Sequence, residues 1–390
     1  MPAPSTKTPP HIAILVDTST EWGRRLVRGV LRYAGRHGPW YTHVTPRGRG
    51  DRRFLPPGWR GDGVIARVTD RPLLDRLRGL GVPLVNTSAV DLEDDALPTV
   101  CSDLGAAAEM AIEHFLDRGI RHFAYAGPRH LPYVHQQCQA YQQALERRRL
   151  TCHLLPAPRR RAGRTRYEAR FEVMARWVQG LPHPAGIFSW AIETGLELLQ
   201  VCREQRISVP HDIAVLGSDE DDLLCQASDP PLSGVLTASE QVGYEAAALL
   251  DRLMNGLTQP PPPRFIGPLA VIDRPSTDTL AIDDPDVRAV LEYIDRRATD
   301  PIQMEDILQA IPVARRTIER KFQQYLSRSP SEEIRRRRLA KAQSLLARTD
   351  MALPEIAVAV GYATYNHLNH LFKKEYGLTP GQYRRRVRLA

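Results

Sequence analysis

The sequence predicts an α/β domain of parallel strands covered by helices on both faces, followed by an all-α domain made of two helix-turn-helix units. Three observations carry this expectation. Short apolar runs alternate with amphipathic segments from residue 11 to about residue 275, the pattern of strands joined by crossover helices. A unit of about 50 residues is repeated within the last hundred. The positive charge excess is confined to that same last part: residues 285 to 390 hold 20 Lys and Arg against 12 Asp and Glu, leaving 33 of each sign before them.

Composition sets the outer bounds. A chain of 390 residues, 42% hydrophobic and 25% charged, is long enough for two or three domains with real cores. No stretch approaches the roughly 18 apolar residues of a membrane helix, and the N-terminal MPAPSTKTPPH has no apolar run after its single Lys. The expectation is a cytoplasmic protein with no membrane partner. Five scattered cysteines without a C-x-x-C pair indicate neither a disulfide framework nor a metal site. No G-x-G-x-x-G or Walker loop is present. No nucleophile, paired-carboxylate or metal constellation stands out either, so neither catalysis nor a cofactor is expected.

In the first part, HIAILVD, GDGVIARV, VPLVNTS, HFAYAG, AGIFSWA, IAVLGSD and AVIDR read as strands. Amphipathic segments such as 25 to 34, 106 to 118 and 136 to 147 read as helices between them. Ligands on parallel sheets sit at the carboxyl ends of strands. Asp17, Trp22, Trp190 and Asp219 fall there. Trp22 or Trp190 can stack on the C–H face of a sugar ring, although a Trp at a strand end also serves as rim packing. The Arg-rich runs 47 to 53 and 158 to 166, and the PPPPR at 260 to 264, read as loops.

In the last part, Ile318, Phe322 and Pro330 precede Leu368, Phe372 and Pro380 by 50 residues each. Each copy reads as a short helix (304 to 310, 354 to 360), a tight turn at Pro312 or Gly361, and a longer amphipathic helix ending near Tyr325 or Tyr376. A connecting helix, 332 to 349, is apolar on one side and basic on the other. In the second long helix Leu368, Leu371 and Phe372 form the inward stripe. Asn366, Asn369 and His370 then share a neighbouring face, with Tyr365 and His367 beside them. Asn offers adenine a donor and an acceptor together. The matching face of the first copy carries Arg315, Arg316, Glu319 and Arg320, suited to guanine and cytosine edges. With the basic excess, these faces point to double-stranded DNA, and Arg335, Arg336, Lys373 and Lys374 are the expected backbone contacts.

The segments RRTIERKFQQYLSRSP, RLAKAQSLL and EIAVAVGYATYNHLNHLFKKEYGLTPGQYR resemble the two-motif DNA-binding domain of AraC-type transcription regulators. Pro312 and Ala314 depart from the pattern, Ala314 by removing a side-chain cap worth about 1 kcal/mol. The pieces GDGVIA, GVPLVNTS, VCSDLGAAAEMAIEHFLDRGIRHFAYAG, VPHDIAVLGSDEDD and PPLSGVLTASEQVGYEAAALL, in that order, resemble the core of LacI-type repressors and periplasmic sugar-binding proteins. That likeness implies a two-lobed, periplasmic-binding-protein-like effector domain closing on a sugar. It implies ligand roles for Asp219, whose carboxylate suits vicinal hydroxyls, and for Asp17 and Asp103, which also fit helix caps. Gln137 stands where an Arg is common and Ile192 where a second Asp is usual, so the sugar clamp is half present.

The expected organisation is a tail at 1 to 10, an effector-binding and dimerisation domain at 11 to 275, a linker at 276 to 286 and an AraC-type DNA-binding domain at 287 to 390. The expected function is ligand-responsive, sequence-specific transcription regulation of carbohydrate-utilisation genes by a homodimer. Two other readings are a regulator whose core only dimerises and no longer takes a ligand, and a sugar-acting enzyme.

Overall fold

A computed structural model describes residues 8–44, 55–56, 58–94, 96–157, 165–219, 221–259, 261–278, 284–300, 302–326 and 328–388. The Arg-rich runs at 47 to 53 and 158 to 164, the tail before residue 8 and linker residues 279 to 283 lie outside the described residues. The chain runs β1 (His11–Leu15), α1 (Glu21–His37), β2 (Tyr41–Val44), β3 (Gly63–Ala66), α2 (Arg71–Arg78), β4 (Leu84–Asn86) and β5 (Val100–Ser102). It continues α3 (Leu104–Leu116), β6 (His122–Ala126), α4 (Pro132–Glu146), β7 (Cys152–Leu154), α5 (Arg166–Gln179), β8 (Ala185–Ser189), α6 (Ile192–Glu204), β9 (Ile213–Gly217), α7 (Asp222–Ala227) and β10 (Ser233–Leu236). Then come α8 (Ser239–Met254), β11 (Arg264–Ile266) and β12 (Ala270–Ile272).

Two sheets result. The first has the order β2-β1-β3-β4 with all neighbours parallel, and the Asn86–Thr99 bridge carries it toward the β5–β11 pair. The second has the order β12-β10-β9-β8-β6-β7, parallel except between β10 and β12. The chain crosses between these lobes three times, after β5, after β10 and between β11 and β12. Strands such as Gly63–Ala66, Ala185–Ser189 and Ile213–Gly217 are buried throughout, as a sheet covered on both faces requires. Helix α1 packs along α8 in the first lobe, joined by Arg32–Glu240 at 2.9 Å and Tyr33–Asp251 at 2.8 Å.

Among the described residues, seven helices form the C-terminal domain: α9 (Pro285–Arg297), α10 (Met304–Ala310), α11 (Arg315–Leu326), α12 (Pro330–Arg348), α13 (Leu353–Ala359), α14 (Tyr365–Tyr376) and α15 (Pro380–Arg388). The repeat is visible as two separate cores. Ile318 and Phe322 are buried with Val287, Leu291 and Ile307 in one; Leu368 and Phe372 are buried with Leu339, Leu346 and Ile356 in the other. Helix α12 lends its apolar side to both. The turns differ as expected: Gly361 holds φ +84° against the Thr299 carbonyl, a conformation that disfavours a side chain. Thr364 caps α14 by accepting from the His367 N–H, whereas the first turn of α11 closes on the Ala314 carbonyl.

Candidate ligand cleft and nucleic-acid interface

A cleft of about 110 Å³ lies between the lobes, roomy against the roughly 10–15 Å³ that one ordered water needs. Thr20, Trp22, Arg67, Thr87 and Ser88 line it from the first lobe; Tyr133, Gln136, Trp190, Ser218 and Asp219 face them from the second. The carboxyl ends of β3, β4, β8 and β9 deliver most of these groups, which is where parallel sheets place ligands.

The expected ligand residues divide. Asp219 lines the cleft and accepts from the Thr237 hydroxyl at 3.0 Å. Asp103 lines it too, while capping α3 by accepting from the Ala106 N–H at 2.9 Å; its two readings coexist. Gln137 reaches the cleft, but its Oε1 is taken by the Tyr125 hydroxyl at 2.7 Å. Asp17 is not among the residues that line the cleft, and its Oδ1 accepts from the Ser19 N–H at 2.9 Å and the Ser19 hydroxyl at 2.5 Å. It shapes the turn into α1. Ile192 is buried in the second lobe's core, so it leaves the cleft no side chain where an Asp was expected.

Both tryptophans line the cleft, with a difference that the sequence did not reveal. The Arg67 guanidinium lies over Trp22 at 4.7 Å and over Tyr133 at 4.9 Å, and Tyr133 packs on Trp190 at 5.6 Å. A cation between two aromatic faces is favourable. Here the stack spans both lobes and covers one face of Trp22. The Trp22 indole N–H reaches the Ser102 hydroxyl at 3.4 Å. Neither Arg67 nor Tyr133 stood out in the sequence, because the stack joins residues 22, 67 and 133 with no shared motif. Two cleft atoms, the Thr87 hydroxyl and Gln136 Oε1, are buried without a protein hydrogen-bond partner, a cost of about 1–3 kcal/mol each unless something polar meets them. Arg24 of the first lobe pairs with Asp221 of the second at 3.0 Å.

In the C-terminal domain most of the residues singled out on the two long helices lie at the surface. Arg315, Arg316, Glu319 and Arg320 are exposed on α11, and Asn366, His367 and His370 are exposed on α14. Arg315 is engaged by Glu319 at 3.0 Å and Glu305 at 3.2 Å. Tyr365 is half-buried, with its hydroxyl 3.4 Å from Asn369 Oδ1. His367 packs edge-on to Tyr362. Lys373 and Lys374 are exposed in the last turn of α14.

The run of four arginines on α12 is not the open basic face that the sequence suggested. Glu333, fully buried, accepts from Arg328 at 2.5 Å, from Arg336 at 2.8 Å and from Arg337 at 2.8 Å. Arg336 also pairs with Asp117 of the effector domain. Arg338 donates to the Ala298 and Asp300 carbonyls, both at 2.7 Å, and lies over Tyr362. Burial alone would raise the Glu333 carboxyl, but the Arg336, Arg337 and Arg328 charges outweigh it and hold the group far below the usual carboxylate range. Arg336 therefore sits in the domain interface and not with the expected phosphate contacts; Arg335 remains half-exposed.

Among the described residues no cluster of His, Cys, Asp or Glu has the makings of a metal site, and no helix is long and apolar enough to cross a membrane.

Known proteins match both halves. Residues 112–277 fit a periplasmic binding protein-like domain and residues 307–386 a helix-turn-helix domain. The xylose operon regulatory protein of Escherichia coli strain K12 is 29% identical over 388 residues, covering 96% of each chain. A solved structure of the xylose-binding transcription activator xylR is 28% identical, covers 97% of this chain and 98% of its own, and superposes with a TM-score of 0.62. A transcriptional regulator CelR–cellobiose complex shares the fold over 68% of this chain and 84% of its own, at 23% identity and a TM-score of 0.56. The chain is a ligand-responsive, DNA-binding transcription regulator that joins a periplasmic-binding-protein-like effector domain to a helix-turn-helix domain of the AraC type.

Proposed function

We propose that the protein regulates carbohydrate-utilisation genes from the cytoplasm as a homodimer, with a sugar or sugar derivative as the effector held between the lobes. The observation that carries this reading is the cleft itself: Asp219 and Asp103 for hydroxyls, Trp190 and Tyr133 as apolar ring faces, and the Thr87 and Gln136 oxygens in need of partners. The likeness to xylose operon regulators along the whole chain supports it. With Gln137 bound to Tyr125 and Ile192 buried away, the effector makes fewer hydroxyl contacts than a free pentose in a full clamp, or carries an apolar substituent against the aromatic wall. Arg316, Arg320, Asn366, Asn369 and His370 read base edges, and Arg335, Lys373 and Lys374 meet phosphates. A homodimer supplies the second set of reading helices that one operator needs.

The test is thermal stabilisation by a panel of pentoses, hexoses and their alkyl glycosides. One or more should raise the melting temperature of the wild type and leave Asp219→Ala, folded by circular dichroism, unmoved. No stabilisation by any sugar would favour the reading in which the core only dimerises. Tight binding of unmodified xylose that survives Asp219→Ala would contradict both the role of Asp219 and the proposed preference.

A further inference from the structure

Helix α3 begins in the cleft and ends beneath the DNA-binding domain. Its N-cap, Asp103, lines the cleft; its C-cap, Asp117, is a half-buried carboxylate that both Arg328 and Arg336 approach. Arg328 Nη1 donates to Asp117 Oδ1 at 2.7 Å, and Arg336 Nη1 donates to Oδ2. Arg328 Nη2 also donates to the Asp117 carbonyl at 3.2 Å. Thirteen residues of helix separate the two aspartates, about 20 Å.

Two further bonds tie the same domains. The Arg121 guanidinium donates to the Tyr325 carbonyl at the end of α11, at 2.8 Å. The buried Tyr383 hydroxyl of α15 donates to the Leu269 carbonyl, also at 2.8 Å, one residue beyond Pro268 of the cleft wall. Arg118, next to Asp117, pairs with Asp273 and donates to the Thr277 carbonyl at 2.7 Å, holding the segment that leads into the linker. The C-terminal domain is thus fastened at α11 and α12 to the second lobe and at α15 to the crossover between β11 and β12. Fastened in this way it still presents both reading faces: Arg316, Arg320, Asn366 and His370 are exposed.

Glu333 explains why the fastening is directional. It organises Arg328, Arg336 and Arg337 from within their own domain, so two of these guanidiniums stand ready for one external carboxylate. Charge-assisted bonds of this kind are short and orienting. Asp117 is that carboxylate.

We infer that Asp117 is a positioning residue for DNA recognition: it holds the C-terminal domain on the effector domain in the orientation that lets both reading helices, and those of a second copy, meet their sites together. The inference rests on the DNA-reading assignment of the C-terminal domain. Half-site spacing in a dimer is a geometric constraint, so a domain swinging on its linker engages the correct sites more weakly while its phosphate contacts persist.

The experiment uses the full chain and two duplexes, one selected from a random-sequence pool by the wild type and one with the same bases scrambled. Asp117→Asn should lose at least tenfold in affinity for the selected duplex and stay within about twofold on the scrambled one. Arg336→Gln should behave alike, and the double variant should lose no more than the larger single loss, as partners in one contact do. A merely structural defect lowers both duplexes together. The inference is overturned if Asp117→Asn binds the selected duplex like the wild type, if it loses equally on both, or if the double variant shows the product of the single losses. A wild type that selects no duplex would overturn the DNA-reading assignment itself, and the inference with it.

Discussion

Substituting Gly243 by Ala should push apart α1 and α8, which pack along each other in the first lobe. A Cβ at Gly243 would lie 2.0 Å from the Leu26 carbonyl oxygen of α1, and one at Gly29 would lie 1.9 Å from the Glu240 carbonyl oxygen of α8. The two glycines interlock, each against the other helix's backbone. Real Cβ contacts stay beyond 3.0 Å, so α1 must retreat from α8 by about 1 Å or more. A gap of that size forfeits a quarter to a half of each dispersion contact along the seam. Overpacking costs about 1–3 kcal/mol, and an obstacle made of helix backbone places Gly243→Ala near the upper end. In urea, with a slope of about 2–3 kcal/mol per M, the unfolding midpoint of the effector domain should fall by roughly 1 M. Tryptophan fluorescence can follow it, since Trp22 and Trp40 pack against this core. Gly29→Ala should cost a similar amount, and the double variant less than the sum, because helices already parted admit the second methyl. A midpoint within about 0.3 M of wild type for Gly243→Ala, or strict additivity in the pair, would refute the close-packing argument.

Three further outcomes are expected. Arg316→Ala, Arg320→Ala and Asn369→Ala should each lose about 1–3 kcal/mol of discrimination between a selected duplex and single-base variants, read by competitive binding, whereas Arg335→Ala should weaken all sequences alike. An equal loss on scrambled DNA for the first three would place those side chains on phosphate. The depressed Glu333 carboxyl gives stability that is present above the unfolded-state value of about 4.3 and is lost as pH falls below it; urea midpoints at pH 7 and pH 3.5 should differ for the wild type and differ less for Glu333→Gln. At pH 7 Glu333→Gln should itself be destabilised by up to about 3–5 kcal/mol, since it strands three guanidiniums around an uncharged group; a midpoint unchanged from wild type would mean that water already satisfies them.

Much of this molecule was legible as a sequence because its signals are local and periodic. The inward stripes of α11 and α14 follow from 3.6-residue spacing, and Ile318, Phe322, Leu368 and Phe372 are all buried. Strands buried on both faces, such as IAVLG, stand out as apolar runs. The shorter strands β2, β5, β7, β10 and β11 do not, because three or four residues with mixed burial carry no period. Nor does α9, whose buried Val287, Val290, Leu291 and Ile294 interrupt charged residues directly after the linker. The basic run at 335 to 338 misled for a related reason. Charge along a helix is visible in sequence, but not that Glu333 beside the run is buried under Arg336 and Arg337, nor that a second carboxylate, Asp117, meets Arg336 from 219 residues away. The Trp22–Arg67–Tyr133 stack likewise joins residues of two lobes that are far apart in sequence, and Asp17 meets Ser19 through a short turn that no period announces.

The central claim is that ligand binding in the cleft and DNA binding at the reading helices are linked equilibria of one chain. Calorimetric titration of the full chain with the stabilising sugar, alone and on saturating selected duplex, tests it most directly. Linkage requires that the sugar's affinity change on DNA by the same factor that the sugar changes the affinity for DNA. The account predicts equal factors of about fivefold or more, lost with the heat of sugar binding in Asp219→Ala. A sugar that binds with one affinity whether or not DNA is present would contradict it.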